Sequence, residues 1–112
     1  LLARATAAHD NVRIVNEVFD NRDAESLKQL ALSLISHSAT IALLGSRDKD
    51  AARLVFARSA DAPGNMNALM RDACAMLDGR GGGQPDLAQG GGKNVSKLGE
   101  AITQAASVVR GE

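Results

Sequence analysis

The residues best suited to chemistry fall in one stretch, Gly79-Arg80-Gly81-Gly82-Gly83-Gln84-Pro85-Asp86-Leu87-Ala88-Gln89-Gly90-Gly91-Gly92. Seven of the chain's 11 glycines lie in these fourteen residues. Glycine loses more backbone freedom on ordering than any other residue, so the run is a poor helix or central strand. It suits a backbone that turns sharply or lets another group come close. Between the glycines stand Arg80, Gln84, Asp86 and Gln89, all able to hydrogen-bond a polar partner. Arg80 can grip a phosphate or a base edge through two parallel N–H donors. Gln84 and Gln89 can read base or sugar edges, including the 2′-hydroxyl that marks RNA. Lys93 and Lys97 follow, and with Arg80 they set three positive charges against Asp86, a net of +2 over Gly79–Lys97. Pro85 fixes its own φ and restricts Gln84. Leu87-Ala88 can anchor the segment to a core. These features predict an ordered, ligand-facing loop. On spacing alone, the competing reading of Arg80 and Lys97 as ordinary surface charges stands level with it.

Other chemistries fail at defining positions. A triphosphate-binding loop needs Ser or Thr after Gly92-Lys93, where Asn94 stands, and glycine where Leu87 stands. The dinucleotide fingerprint breaks at Asp86, and the stretch follows a helical pattern rather than a strand. His9, His37 and Cys74 are scattered without ligand spacing. Cys74 reads as a small core residue, and His37 as the finish of a helix. Ser59, Ser96 and Ser107 have only those distant histidines to activate them. Asp78 and Asp86 could pair, but Asp78 fits a helix end better. No catalytic centre, metal site or cofactor is expected in this segment.

The chain has 112 residues, enough for one domain. Apolar residues make up 45%, and Phe19 and Phe56 are its only aromatics, so the core must be aliphatic. Base stacking on an aromatic platform is nearly excluded. Thirteen basic residues balance thirteen acidic ones. Affinity for a polyanion must therefore come from a local patch rather than from bulk charge. No apolar run approaches a membrane span. Cys74 is alone, which fits a reducing, cytoplasmic setting. The chain starts at Leu1 and its first methionine is Met66, so it is expected to be a piece of a longer protein. Leu1–Ala8 would then end an upstream helix over residues 1–10, with the domain proper at 11–112.

Periodicity supplies the elements that must hold the stretch in place. Val12–Phe19 alternates as a strand. Asp23 caps a helix with Ala24, Leu27, Leu30, Ala31, Leu34 and Ile35 at steps of three and four. Thr40–Leu44 is a continuous apolar run, the mark of a strand covered on both faces. After a polar turn at Gly45–Asp50, Ala51–Ser59 completes a hairpin, with Leu54 and Phe56 on one face and Arg53, Val55 and Ala57 on the other. Asn65 caps a helix with Met66, Leu69, Met70, Ala73 and Leu77 inward, and Gly79 is its expected left-handed C-cap. Asn94 is the expected cap of a last helix built on Val95, Leu98, Ile102, Ala105, Ala106 and Val109. The order predicts an α/β fold: a small mixed β-sheet packed with about three helices, the glycine-rich loop lying between the last two.

Gly81–Gly92, with its triple glycine, proline, Ala-Gln and double glycine, resembles the signature of the DHH-associated domain. That family ends alanyl-tRNA synthetases and long alanyl-tRNA editing proteins, and more distant versions follow DHH phosphoesterase domains. The phosphoesterase form carries a shorter glycine-histidine signature, and no histidine lies in this loop. The resemblance covers roughly Val12 to Val109. It implies a nucleic-acid-binding, sometimes dimerising, C-terminal module that engages the tRNA elbow, attached to an upstream catalytic domain that holds any zinc. Carried over position by position, it makes Arg80, Gly81, Gly82, Gly83, Gln84, Asp86, Gln89 and Gly90 tRNA contacts, to which the charge count adds Lys93 and Lys97. Many synthetases carry a basic residue where Gln84 stands. That departure, together with Asn67-Ala68-Leu69-Met70-Arg71, leans toward the editing-protein branch. The alternatives are an accessory substrate-binding domain of a DHH-type phosphoesterase and a dimerisation module whose loop is only structural.

Overall fold

The computed structural model describes residues 6–7 and 12–110. The elements in chain order are β1 (Thr6–Ala7), β2 (Arg13–Asp20), α1 (Ala24–Ile35), β3 (Thr40–Arg47), β4 (Ala52–Arg58), α2 (Met66–Met76), β5 (Arg80–Gln84), β6 (Leu87–Gly92) and α3 (Leu98–Arg110). They build one sheet in the order β1-β2-β3-β4-β6-β5. β2 and β3 run parallel, joined by α1 as the crossover helix, and every other neighbouring pair is antiparallel. The expected mixed α/β sheet with three helices is present. The helix expected over Leu1–Ala8 falls mostly outside the described residues; Thr6–Ala7 pair with β2 as a short strand.

Helices cover both faces, which explains the unbroken apolar run of β3. Val15, Ala42, Leu44, Val55 and Ala57 face α1 through Leu27, Ala31 and Leu34. Ile14, Ile41, Leu43, Leu54, Phe56 and Ala88 face α2 and α3 through Met66, Met70, Ala73, Leu77, Leu98 and Ile102. The Asp23 carboxylate accepts the Ser26 N–H at 2.8 Å and starts α1 as expected. The Asn65 side chain accepts from Ala68 and starts α2.

Four local expectations are corrected. β3 runs on through Gly45, Ser46 and Arg47. Ser46 tolerates full burial because its hydroxyl accepts the Arg22 N–H at 2.8 Å. The turn shrinks to the residues between β3 and β4, closed by the Asp48 side chain on the N–H groups of Asp50 and Ala51. The left-handed residue after α2 is Asp78, at φ 55°, not Gly79. The N–H groups of Asp78 and Gly79 then return to Ala75 and Cys74, which satisfies the last carbonyls. Asn94 does not cap with its side chain; its oxygen accepts the Ser96 hydroxyl, and a single 3₁₀ turn, Val95–Lys97, leads into α3. Finally, the glycine-rich segment does lie between the last two helices, but as the strand pair β5–β6 rather than as a loop.

Candidate nucleic-acid interface

β5 and β6 form a hairpin closed at Gln84 and Leu87, with Pro85-Asp86 as its two-residue turn. The turn is bolted at both carbonyls. Pro85 accepts the Met66 N–H at 2.8 Å, filling one of the free donors at the start of α2, and Asp86 accepts the Arg58 N–H at 3.0 Å. On the outer strand, the Asn67 side-chain oxygen accepts the Gly83 N–H at 3.0 Å. β6 pairs with β4 along its length. The hairpin is thus held by α2 on one side and by β4 at its inner edge.

Its glycines do two different jobs. Gly81 and Gly90 lie side by side under α2, where a Cβ would come within 2.8 and 2.5 Å of the Cys74 sulfur. Their bareness lets the helix settle on the strands, and burial in that contact pushes the Cys74 thiol above its ordinary value. Gly83 meets the Leu87 carbonyl and Ala88 in the same way. Gly82 differs: a Cβ there would meet only the Asn67 side-chain oxygen, at 3.0 Å.

Strand alternation sorts the polar residues. Leu87 packs with the α1-side cluster and Ala88 with the opposite one. The α1-side face of the hairpin therefore carries Arg80, Gly82 and Gln84 on β5, opposite Gly91, Gln89 and Leu87 on β6. α1 itself packs on β3 and β4. Arg80, Gln84 and Gln89 are consequently exposed. None of the three makes a side-chain hydrogen bond or ion pair among the described residues. Gly81, Gly83 and Gly90 are not on this face. Asp86 sits exposed in the turn and Lys93 exposed just after β6. Lys97 is turned to Glu100, at 3.4 Å, as a surface pair. The structure thus gathers Arg80, Gln84 and Gln89 beside Gly82, and separates Lys97 and the packing glycines from them.

One basic residue next to this face was not singled out from the sequence. Arg53 on β4 is the direct partner of Gly91, which is in turn the partner of Arg80. Its guanidinium holds the Asp48 carboxylate at 3.0 Å. The Asp50 N–H first, and then Arg53 and the Ala51 N–H, pull the Asp48 carboxyl below its ordinary value. The period-two pattern had put Arg53 on the face with Val55 and Ala57, but nothing in the sequence said that a glycine strand would pair there.

Among the described residues no three His, Cys, Asp or Glu side chains gather as metal ligands; His9 lies outside them. No described helix is long and apolar enough to cross a membrane.

Comparison with known proteins bears on the chain as a whole. A family model described as the DHHA1 domain matches residues 11–111. The chain is 37% identical over 102 residues to the alanine–tRNA ligase of Leptospira borgpetersenii serovar Hardjo-bovis (strain JB197), covering 88% of this chain and 11% of that protein. It is 34% identical over 113 residues to the alanine–tRNA ligase of Thermoanaerobacter sp. (strain X514), covering 97% of this chain and 13% of that protein. Its fold is similar to the crystal structure of the C-Ala domain from Aquifex aeolicus alanyl-tRNA synthetase, with TM-score 0.85 and 27% identity, covering 97% of this chain and 99% of that one. The chain spans little more than a tenth of the length of the curated relatives it matches.

Proposed function

The chain belongs to the DHHA1 domain family, and from that premise we propose that it is the tRNA-binding C-terminal module of an alanyl-tRNA synthetase. The observation that carries this reading is the uncovered hairpin face. It presents an arginine and two side-chain amides that are without partners among the described residues, over a backbone thinned by Gly82. Such a surface offers a phosphate grip and sugar- or base-edge donors without aromatic stacking. The match to the Aquifex domain over nearly the whole of both chains supports the same assignment. Aminoacylation would reside upstream, in a part of the protein this chain does not include, together with any zinc. The working site is the cytoplasm.

The editing-protein form is the second reading. The neutral Gln84 and the Asn67–Arg71 segment favour it, whereas the ligase names of the relatives favour the synthetase. An aminoacylation domain upstream of Leu1 would decide for the synthetase, and an upstream part without one for editing.

Filter binding to a tRNA transcript at several salt concentrations tests the proposal. The expected result is salt-sensitive binding that Arg80→Ala removes. A preference for short oligonucleotides would instead indicate a phosphoesterase accessory domain. No binding, with a concentration-dependent dimer in sedimentation, would leave dimerisation as the role.

A further inference from the structure

We propose that the tRNA-binding face does not stop at the hairpin but continues onto β4, with Arg53 as a second phosphate-binding residue that works with Arg80; this rests on the tRNA reading above. The register places Phe19, Ser46, Arg53, Gly91 and Arg80 in one row across five strands, all on the α1 side of the sheet. At a strand spacing of about 4.8 Å, the backbones of Arg53 and Arg80 stand about 10 Å apart. The residue between them is Gly91, so no side chain fills the gap.

The two arginines are prepared differently. Arg80 is exposed and unpaired among the described residues. The Arg53 side chain is one-third exposed (34%) and is oriented by Asp48. That contact uses one nitrogen of the guanidinium fork and leaves other N–H donors for an anion. The opposing carboxylate is itself tied down by the N–H groups of Asp50 and Ala51. A pre-oriented arginine loses less freedom when it grips a phosphate than a mobile one. Arg22, at the far end of the row, is not part of the pair: its guanidinium lies 4.5 Å over the Phe19 ring and donates to the Ser26 hydroxyl. The anion seat is therefore the gap over Gly91, and its ligand is a phosphodiester of the RNA backbone.

The test is the salt dependence of binding of a tRNA transcript to the chain. For Arg53→Gln we expect about tenfold weaker binding at low salt. The slope of log K against log salt should fall by about one, the loss of one phosphate contact. Arg53→Lys keeps the charge and should keep the slope, recovering only part of the affinity; it also guards against a folding defect in the glutamine variant. Arg47→Gln removes the same charge from the opposite face, where Arg47 pairs with Asp20, and should change neither quantity. A wild-type slope in Arg53→Gln, with binding lost in Arg80→Ala, would overturn this extension and leave the hairpin reading standing. An equal loss in Arg47→Gln would reduce the effect to bulk charge and overturn it too. Absence of tRNA binding by the unsubstituted chain at low salt would remove both.

Discussion

At the scale of single residues, the glycines separate into those packed against their neighbours and one, Gly82, that the proposed binding face would need. A Cβ added at Gly90 would stand 2.5 Å from the Cys74 sulfur and 2.7 Å from the Gly81 Cα. Gly90→Ala must push α2 away from the strands. It is expected to destabilise by about 1–3 kcal/mol, the usual range for overpacking. Gly82 stands between Arg80 and Gln84, half-buried, and a Cβ there would meet the Asn67 side-chain oxygen, at 3.0 Å, which also accepts the Gly83 N–H. Gly82→Val is expected to cost less than about 1 kcal/mol and yet to abolish tRNA binding, because its branches occupy the space over which the polar groups converge. Urea melts and filter binding on the two variants check this. Binding intact in Gly82→Val, with a large stability loss, would make all of these glycines a folding requirement.

Between elements, the joint worth testing is the one that fixes the start of β3 against the end of β4. The Asp61 carboxylate accepts the Ala39 N–H at 2.8 Å and the Ser59 hydroxyl at 2.6 Å, while Ser59 accepts the Thr40 N–H at 2.9 Å. The Ser59 hydroxyl first, and then the Ala39 N–H, lower the Asp61 carboxyl from its ordinary value of 3.8. A carboxyl lowered by folding stabilises the folded state above its ordinary range, and that contribution is lost as pH falls through the folded value. Asp61→Asn should therefore be less stable than the parent near neutrality, and the gap should close as pH falls from about 4 downward. Urea midpoints measured across that range would show it; a gap that stays constant with pH would contradict it. The same scale shows what the sequence could reveal. α1, α2, α3 and strands β2 to β4 were legible because their apolar residues keep a clean period against a covered face. The hairpin was not, because its residues individually disfavour strands. Only the open edge of β4 and the sulfur of Cys74 make Leu87–Gly92 a strand, and neither is local. The swap of Asp78 for Gly79 at the end of α2 has the same character: Gly79 is a glycine because the Gly91 carbonyl crowds it, which leaves the left-handed position to aspartate. Arg80, Gln84 and Gln89 could be picked out by type, whereas Arg53 needed the β4–β6 register.

For the molecule as a whole, thirteen positive and thirteen negative charges cancel, so the proposed grip on a polyanion would depend on placement rather than on total charge. The order in which the sheet is assembled has its own consequence. The last strand in sequence, β6, is not the outermost; it lies between β4 and β5. Until Leu87–Gly92 has been synthesised, β4 presents the unpaired backbone of Leu54, Val55 and Phe56 along a bare margin, the kind of margin on which chains stick to one another. A version truncated after Asp78 is expected to precipitate or form high-mass species in light scattering while the 112-residue chain stays dispersed. The glycine-rich strand β6 would then also act as a late-arriving cover against self-association.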